Sequence, residues 1–434
     1  MKKLSKIKKA VLMLVMLLSL TTAFANDGAK IHSWQGKCPL RPGPVPSRWR
    51  PSCGFFLQTL FQTMMICQSS INFLSLARHS NLSERTFRRN FRRKFDFAEL
   101  NRHIIEKCLV SPPVAVAQDA SFIKKSGKHT FGLDKFWNGS HSRAEKGLET
   151  SVISIIDHRQ NASFCLSAAQ TPPRLAIAER QTEKPTRVDF YLQHFIRTVA
   201  YFPATIKYLL VDGFYAKLKF VSGVAQSGFQ VISKLRTDAH LKYLYAGAQK
   251  PRGAKRKFAG KVDFADLSEF ALTNLIIDKK PIELYSKVVF SVSLKLPVKL
   301  VVVKYKKRRI NLFSTDENQS AEEILRFYRS RFTIEFLIRD AKQSARLEDC
   351  QARDQKALEF HWNTAFSTVN LARWQATQTN STEDGKPFSM KSIKQQFFNE
   401  HLLKLFICKL GLEQTLIKYQ EHLETLRNYA VISS

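Results

Sequence analysis

Apolar positions along the chain recur with two different periods, and the points where the period changes outline the elements. Globular composition begins near Phe55. A short helix is expected over 73–78, a turn at Asn81-Leu82, and a second helix from Glu84 to Phe95 with Ser83 as its N-cap. In that second helix Phe87, Phe91 and Phe95 recur every four residues, so an aromatic stripe packs inward while Arg85, Arg88, Arg89, Arg92 and Arg93 take the outer faces. Apolar runs then predict strands at 113–118, ending in Asp119, at 148–156, at 162–168, at 206–211, ending in Asp212, and at 229–235. Before the fourth of these, 187–201 reads as a helix with Phe190, Phe195 and Val199 inward. Three more strands, at 282–291, 298–305 and 308–314, precede a long helical stretch from Ala321 to Leu347. Helices are expected beyond it: Phe360, Trp362, Phe366 and Trp374 pack behind that stretch, a polar break spans 377–386, and a last helical region starts at Met390.

Within Ala321–Leu347 the stripe Phe327, Ile334, Leu337, Ile338 and Ala341 is the apolar seam of a docked helix. At about 100° per residue, Tyr328, Arg331, Glu335 and Lys342 fall within roughly 60° of one another on a neighbouring face. One face therefore presents a phenol, a guanidinium, a carboxylate and an ammonium. Taken singly, a carboxylate at a strand end, as at Asp119 or Asp212, reads as the cap of a following turn. Trp137, followed by Asn138 and His141, reads as a structural tryptophan rather than one that stacks on an unpaired base.

Charge changes the picture. The 69 Lys and Arg against 36 Asp and Glu give a formal charge of +33, while 44% of residues are hydrophobic. Such a chain folds around a core and seeks a polyanion, nucleic acid before an anionic membrane surface. Cations cluster at 250–257 and again at Lys304, Lys306, Lys307, Arg308 and Arg309, where phosphate contact is expected. The seven cysteines are scattered with no zinc-type pair, so buried reduced thiols are expected. Five lysines before the apolar run 10–20, then Ala23-Phe24-Ala25, form a secretory-signal pattern that conflicts with a nucleic-acid partner. Residues 1–54 are therefore read as a signal-like segment and linker, foreign to the core or preceding its true start.

The spacing Tyr328-x2-Arg331-x3-Glu335-x6-Lys342 resembles the signature helix of a large group of bacterial insertion-sequence transposases with an Asp-Asp-Glu catalytic triad, and all four positions match. The segment 121–130 is similar to the stretch after the first catalytic Asp in that family. The resemblance implies an α/β, ribonuclease H-like catalytic core with a β-rich insertion, preceded by a helical helix-turn-helix DNA-binding region. The expected divisions are 55–110 for the DNA-binding helices, 111–249 for the first part of the core, 250–316 for the insertion, 317–376 for the signature helix and end of the core, and 377–434 for a C-terminal helical region.

It also implies the chemistry. Asp119, Asp212 and Glu335 would hold two Mg²⁺ ions about 4 Å apart, with Mn²⁺ as a substitute, Asp119 bridging them. Arg331 and Lys342 would clamp phosphates, Tyr328 would bond a phosphate or stack on a base, and Arg85, Arg88, Arg89 and Arg92 would grip the element end. Hydrolysis at the end of the element frees a 3′-hydroxyl, which is then transferred to target DNA. Double-stranded DNA is the expected partner, with a homodimer in the synaptic complex, no stable membrane partner and a cytoplasmic, nucleoid-associated location. A nuclease without strand transfer, or a DNA-binding protein with an inactive core, are the alternatives.

Overall fold

The structure, a computed structural model, describes residues 53–174, 186–277, 279–305, 308–378, 388–410 and 420–432. The signal-like segment up to residue 52, Lys306, Lys307 and positions 379–386 of the polar break lie outside the described residues.

Four helices come first: α1 (Cys53–Ile66), α2 (Phe73–Arg78), α3 (Glu84–Phe91) and α4 (Phe97–Cys108). Ser83 caps α3 as expected, its hydroxyl accepting the Thr86 amide at 3.3 Å. α3 ends at Phe91 rather than Phe95, because Asp96 caps α4 by accepting the Glu99 amide and the intervening residues must turn. These helices do not stand apart from the core. Phe360, from a helix far along the chain, packs against Phe91 at 4.7 Å and Phe97 at 4.9 Å, and Asn101 on α4 donates to the Leu166 carbonyl.

The core strands are β1 (Ala115–Ile123), β2 (Asp134–Asn138), β3 (Arg143–Asp157), β4 (Ala162–Gln170), β5 (Tyr208–Leu210) and β6 (Gln230–Leu235). α5 (Arg187–Thr198) precedes β5 and α6 (Leu218–Gln226) precedes β6. β4, β3, β1, β5 and β6 lie side by side in that order; the first three are antiparallel, and β5 and β6 run parallel to β1. This is the ribonuclease H-like arrangement. β1 does not stop at Asp119: β3 is long enough to pair with it from Ala115↔Ile156 to Ile123↔Leu148, so Asp119 sits mid-strand opposite Val152.

β7 (Leu241–Leu244), β8 (Phe258–Lys261), β9 (Ala271–Ile277), β10 (Lys280–Ser291), β11 (Leu296–Tyr305) and β12 (Arg308–Ser314) complete one twelve-stranded sheet among the described residues. Three of these were not foreseen. β12 pairs with β6, from Asn311↔Leu235 to Ser314↔Ile232, so the added strands extend the core sheet, and β7 already lies before the expected start of the insertion at 250.

The signature stretch is two helices, α7 (Ala321–Ser330) and α8 (Thr333–Gln343), not one. The amides of Phe332, Ile334 and Glu335 bond three residues back, to Arg329, Arg331 and Phe332. Ser330 and Thr333 explain this tightening: their hydroxyls donate to the carbonyls of Phe327 and Ser330, each at 2.7 Å, within the same turns. Leu337, Ile338 and Ala341 are buried, as the apolar stripe requires. α9 (Gln355–Gln378) lies behind with Phe360, Trp362, Phe366 and Trp374 all buried, and α10 (Met390–Leu410) and α11 (Gln420–Arg427) come last.

Candidate active site

β1 and β5 are parallel neighbours with Ala117 opposite Leu210. Asp119 and Asp212 each lie two residues further on, so the two-residue period of extended chain sends both carboxylates out on one face, one strand spacing apart. Beyond Leu210 the chain stays against β6, the Val211 amide donating to the Ile232 carbonyl at 3.1 Å. Asp212 then caps a 3₁₀ turn, Gly213–Tyr215, its Oδ1 accepting the Phe214 amide at 2.9 Å. Gly213 suits that turn, since a Cβ would stand 3.0 Å from the Lys234 carbonyl oxygen and press on it.

Arg331, at the break between α7 and α8, joins the third carboxylate to the first. Its Nη2 donates to Glu335 Oε1 at 3.0 Å, and its Nη1 lies 3.8 Å from Asp119 Oδ2. The Arg331 side chain is 6% exposed and that of Glu335 is 48% exposed, so the guanidinium is held inside while the carboxylate reaches solvent. Burial and the charge of Asp212 push Asp119 up to about 7, with Glu335 adding to the rise against the opposing pull of Arg331 and the Ala120 amide. Burial disfavours the charge of Arg331, but Asp119, Tyr328, Glu335 and Asp212 outweigh it and raise its ionisation above the ordinary value.

Tyr328 is buried, with Arg331 Cζ 5.6 Å from its ring centre and Phe332 6.4 Å away. It supports Arg331 from beneath and offers no face to an unpaired base, contrary to the stacking role considered from sequence. Lys342, two turns beyond Glu335 on the same face of α8, donates to the Phe122 carbonyl of β1 at 2.6 Å and pairs with Glu348 at 3.3 Å, tying α8 to the strand that carries Asp119. Sequence reasoning passed over Phe214, Phe332 and Phe336, which adjoin Asp212 and flank Glu335 and are nearly half exposed. Their signal was legible: bulky apolar residues within two positions of charged residues assigned to a polar face.

One groove adjoins Glu335 and Lys342, and a second is lined by neither. The first, of about 1000 Å³, runs between α8 and the β2–β3 hairpin, with Glu335, Arg339 and Lys342 on one wall and Lys124, Arg143 and Lys146 on the other. The second, of about 1990 Å³, gathers Arg85, Arg88, Arg89 and Arg92 of the α3 region opposite Lys125, His129 and Arg353 of the core. Trp137 is 60% exposed on β2, so it is no core residue: Phe136 takes the buried position and strand alternation turns its neighbour out.

Asp119, Asp212 and Glu335 are hard oxygen donors of the kind divalent Mg²⁺ prefers. Among the described residues no three His, Cys, Asp or Glu side chains gather into a group that could hold a metal ion, and the Arg331 guanidinium occupies the place of counter-charge between Asp119 and Glu335. The fit to a divalent cation is therefore one of donor chemistry, with Asp119 and Asp212 on neighbouring parallel strands and Glu335 linked to Asp119 through Arg331. No described helix is long and apolar enough to cross a membrane.

The chain matches the family model of the transposase DDE domain over residues 178–371 and that of the DDE superfamily endonuclease over residues 55–266. Asp212 lies in both matches, Asp119 in the second and Glu335 in the first. No curated protein matches the chain. With the ribonuclease H-like sheet and the two overlapping matches together, the chain belongs to the DDE superfamily of transposases and endonucleases, enzymes whose partner is DNA and which use divalent metals.

Proposed function

We propose that the protein is an insertion-sequence transposase: it binds the ends of its element, cleaves them by phosphodiester hydrolysis and transfers the freed 3′-hydroxyl to target DNA. The observation that carries this reading is the Ala117↔Leu210 register, which sets Asp119 beside Asp212 on one sheet face, with Glu335 joined to Asp119 through Arg331. Asp119, Asp212 and Glu335 would hold Mg²⁺, or Mn²⁺ in its place. When bound, the ions supply Lewis acidity toward the phosphate and lower the pKa of the attacking water or hydroxyl. Asp119 would hold a cation as the carboxylate, so its proton would have to leave first.

Arg331 and Lys342 serve the phosphates flanking the scissile bond as charged hydrogen-bond donors. The arginine groove beside α3 holds the duplex backbone at the element end, and a homodimer brings two ends together. Phe214, Phe332 and Phe336, each nearly half exposed with a cation (Lys217, Arg331 and Arg339 respectively) over one side of the ring, offer a base unpaired at the cut the stacking surface that Tyr328 does not.

Labelled DNA carrying the element's terminal repeats tests this directly. A nick that requires Mg²⁺ and is followed by joining of the labelled strand to a target plasmid is the expected result. Nicking without joining identifies a nuclease, and binding without nicking identifies a DNA-binding protein with an inactive core.

A further inference from the structure

Tyr215 closes the 3₁₀ turn that Asp212 begins and is fully enclosed. Its ring packs against Tyr191 at 5.3 Å, Phe214 at 5.6 Å and Phe220 at 5.1 Å, so the side chain has no freedom to swing to solvent. The hydroxyl at its tip is buried and makes no hydrogen bond among the described residues. The neighbouring phenol shows what a satisfied group looks like in the same pocket, Tyr191 donating to Glu149 Oε1 at 2.5 Å. A buried hydroxyl without a partner is costly and seldom kept in a well-packed core. Burial and, next, the charge of Asp119 hold the ionisation of Tyr215 well above the ordinary value, with Tyr191, Asp212 and Glu149 adding to it, so the oxygen lies within the field of both aspartates.

We propose that Tyr215 is a positioning residue for the carboxylate pair, its hydroxyl donating to Asp119 when that side chain turns to hold a divalent cation. The inference rests on the reading of Asp119 and Asp212 as cation ligands. A phenol fits this task because it remains protonated and so always has a proton to donate. Its rigid ring fixes the direction of that proton, and the bond would restrain the rotation of Asp119 and strengthen its hold on the cation, as outer partners of metal ligands do.

The test uses the full chain, Tyr215→Phe, Mn²⁺ as the probe and the electron paramagnetic resonance signal of free Mn²⁺ as the measure of binding, with thermal melts in EDTA beside it. In EDTA, Tyr215→Phe should melt at the parent temperature or above it, because only an orphaned hydroxyl is removed. Its Mn²⁺ affinity should fall roughly ten- to hundred-fold, the range for loss of such a supporting partner. Equal Mn²⁺ affinity in variant and parent overturns the proposal. So does a variant that fails to fold or melts lower in EDTA, since the hydroxyl would then have a structural partner. A parent that binds no Mn²⁺, or an Asp119→Asn chain that binds it as the parent does, refutes the cation-ligand reading itself and is distinguishable from both.

Discussion

The Arg331 guanidinium stands 3.8 Å from Asp119 Oδ2, a buried cation set against a carboxylate that burial and Asp212 nonetheless hold partly protonated near neutrality. Burial acts most strongly on Asp119 and its neighbour Asp212 next, and the pull of one guanidinium does not return it to the ordinary carboxylate range.

Asp119 makes cation binding dependent on pH. Its folded value of about 7 lies above the unfolded value of 3.8, so its protonated form favours folding: that contribution is fully present below about pH 3.8 and is lost as pH rises to 7. A cation must displace the proton, so Mn²⁺ affinity should fall up to tenfold per unit below about pH 7 and level off above it. Mn²⁺ titrations from pH 5.5 to 8.5 check this. A flat profile in the parent chain would remove Asp119 from the site.

The carboxylates and Lys342 should separate in their effects. Asp119→Asn, Asp212→Asn and Glu335→Gln keep shape but remove the charge that holds a cation, so cleavage of end DNA should fall by orders of magnitude while binding persists. Lys342→Met removes a charged donor to the Phe122 carbonyl and should lower stability by about 1.5–3 kcal/mol while weakening DNA binding. Its residual cleavage should recover at high protein concentration in gel-shift and nicking assays; near-normal cleavage by a carboxylate variant would exclude that residue.

Arg331→Ala leaves Asp119 and Glu335 without their shared counter-charge. Breaking a fully buried pair costs about 3–5 kcal/mol, and with Glu335 half exposed the loss here should be about 2 kcal/mol. Added Mg²⁺ should restore part of it, because a divalent ion satisfies the same carboxylates. Thermal melts with and without Mg²⁺ decide; a loss that Mg²⁺ leaves unchanged would mean that Arg331 acts through packing alone.

The arginines near α3 should act unequally on DNA. Arg88 pairs with Glu84 at 2.5 Å and Arg92 with Asp354 at 3.2 Å, so each must give up a partner to meet a phosphate, while Arg85 and Arg89 have no such ion pair among the described residues. Replacing Arg85 and Arg89 by Ala should lower the slope of log affinity against log salt by about 2 and weaken binding to every sequence. Replacing Arg88 and Arg92 should do less. Equal affinity and slope in all variants would place the DNA elsewhere.

What the sequence by itself determined is local. The Ser83 cap, the burial of Phe87 and Phe91, the start of a helix at Arg187 and the apolar strand runs that lead to Asp119 and Asp212 are set by hydrogen bonds and side-chain periods spanning a few residues, and a pattern reports those directly. The spacing of Tyr328, Arg331, Glu335 and Lys342 likewise identified the family before any coordinate. Tertiary structure decided what depends on distant partners. The length of β3 carried β1 past Asp119, the pairing of β12 with β6 merged the added strands into the core sheet, and Phe360 drew the first helices onto the core. Two hydroxyls at Ser330 and Thr333 broke the signature helix, so Arg331 turned inward to Asp119 and Lys342 to the Phe122 carbonyl. Periodicity says which face is buried but not which strand, carbonyl or carboxylate lies across from it, because those partners are fixed by the free energy of the whole packed chain.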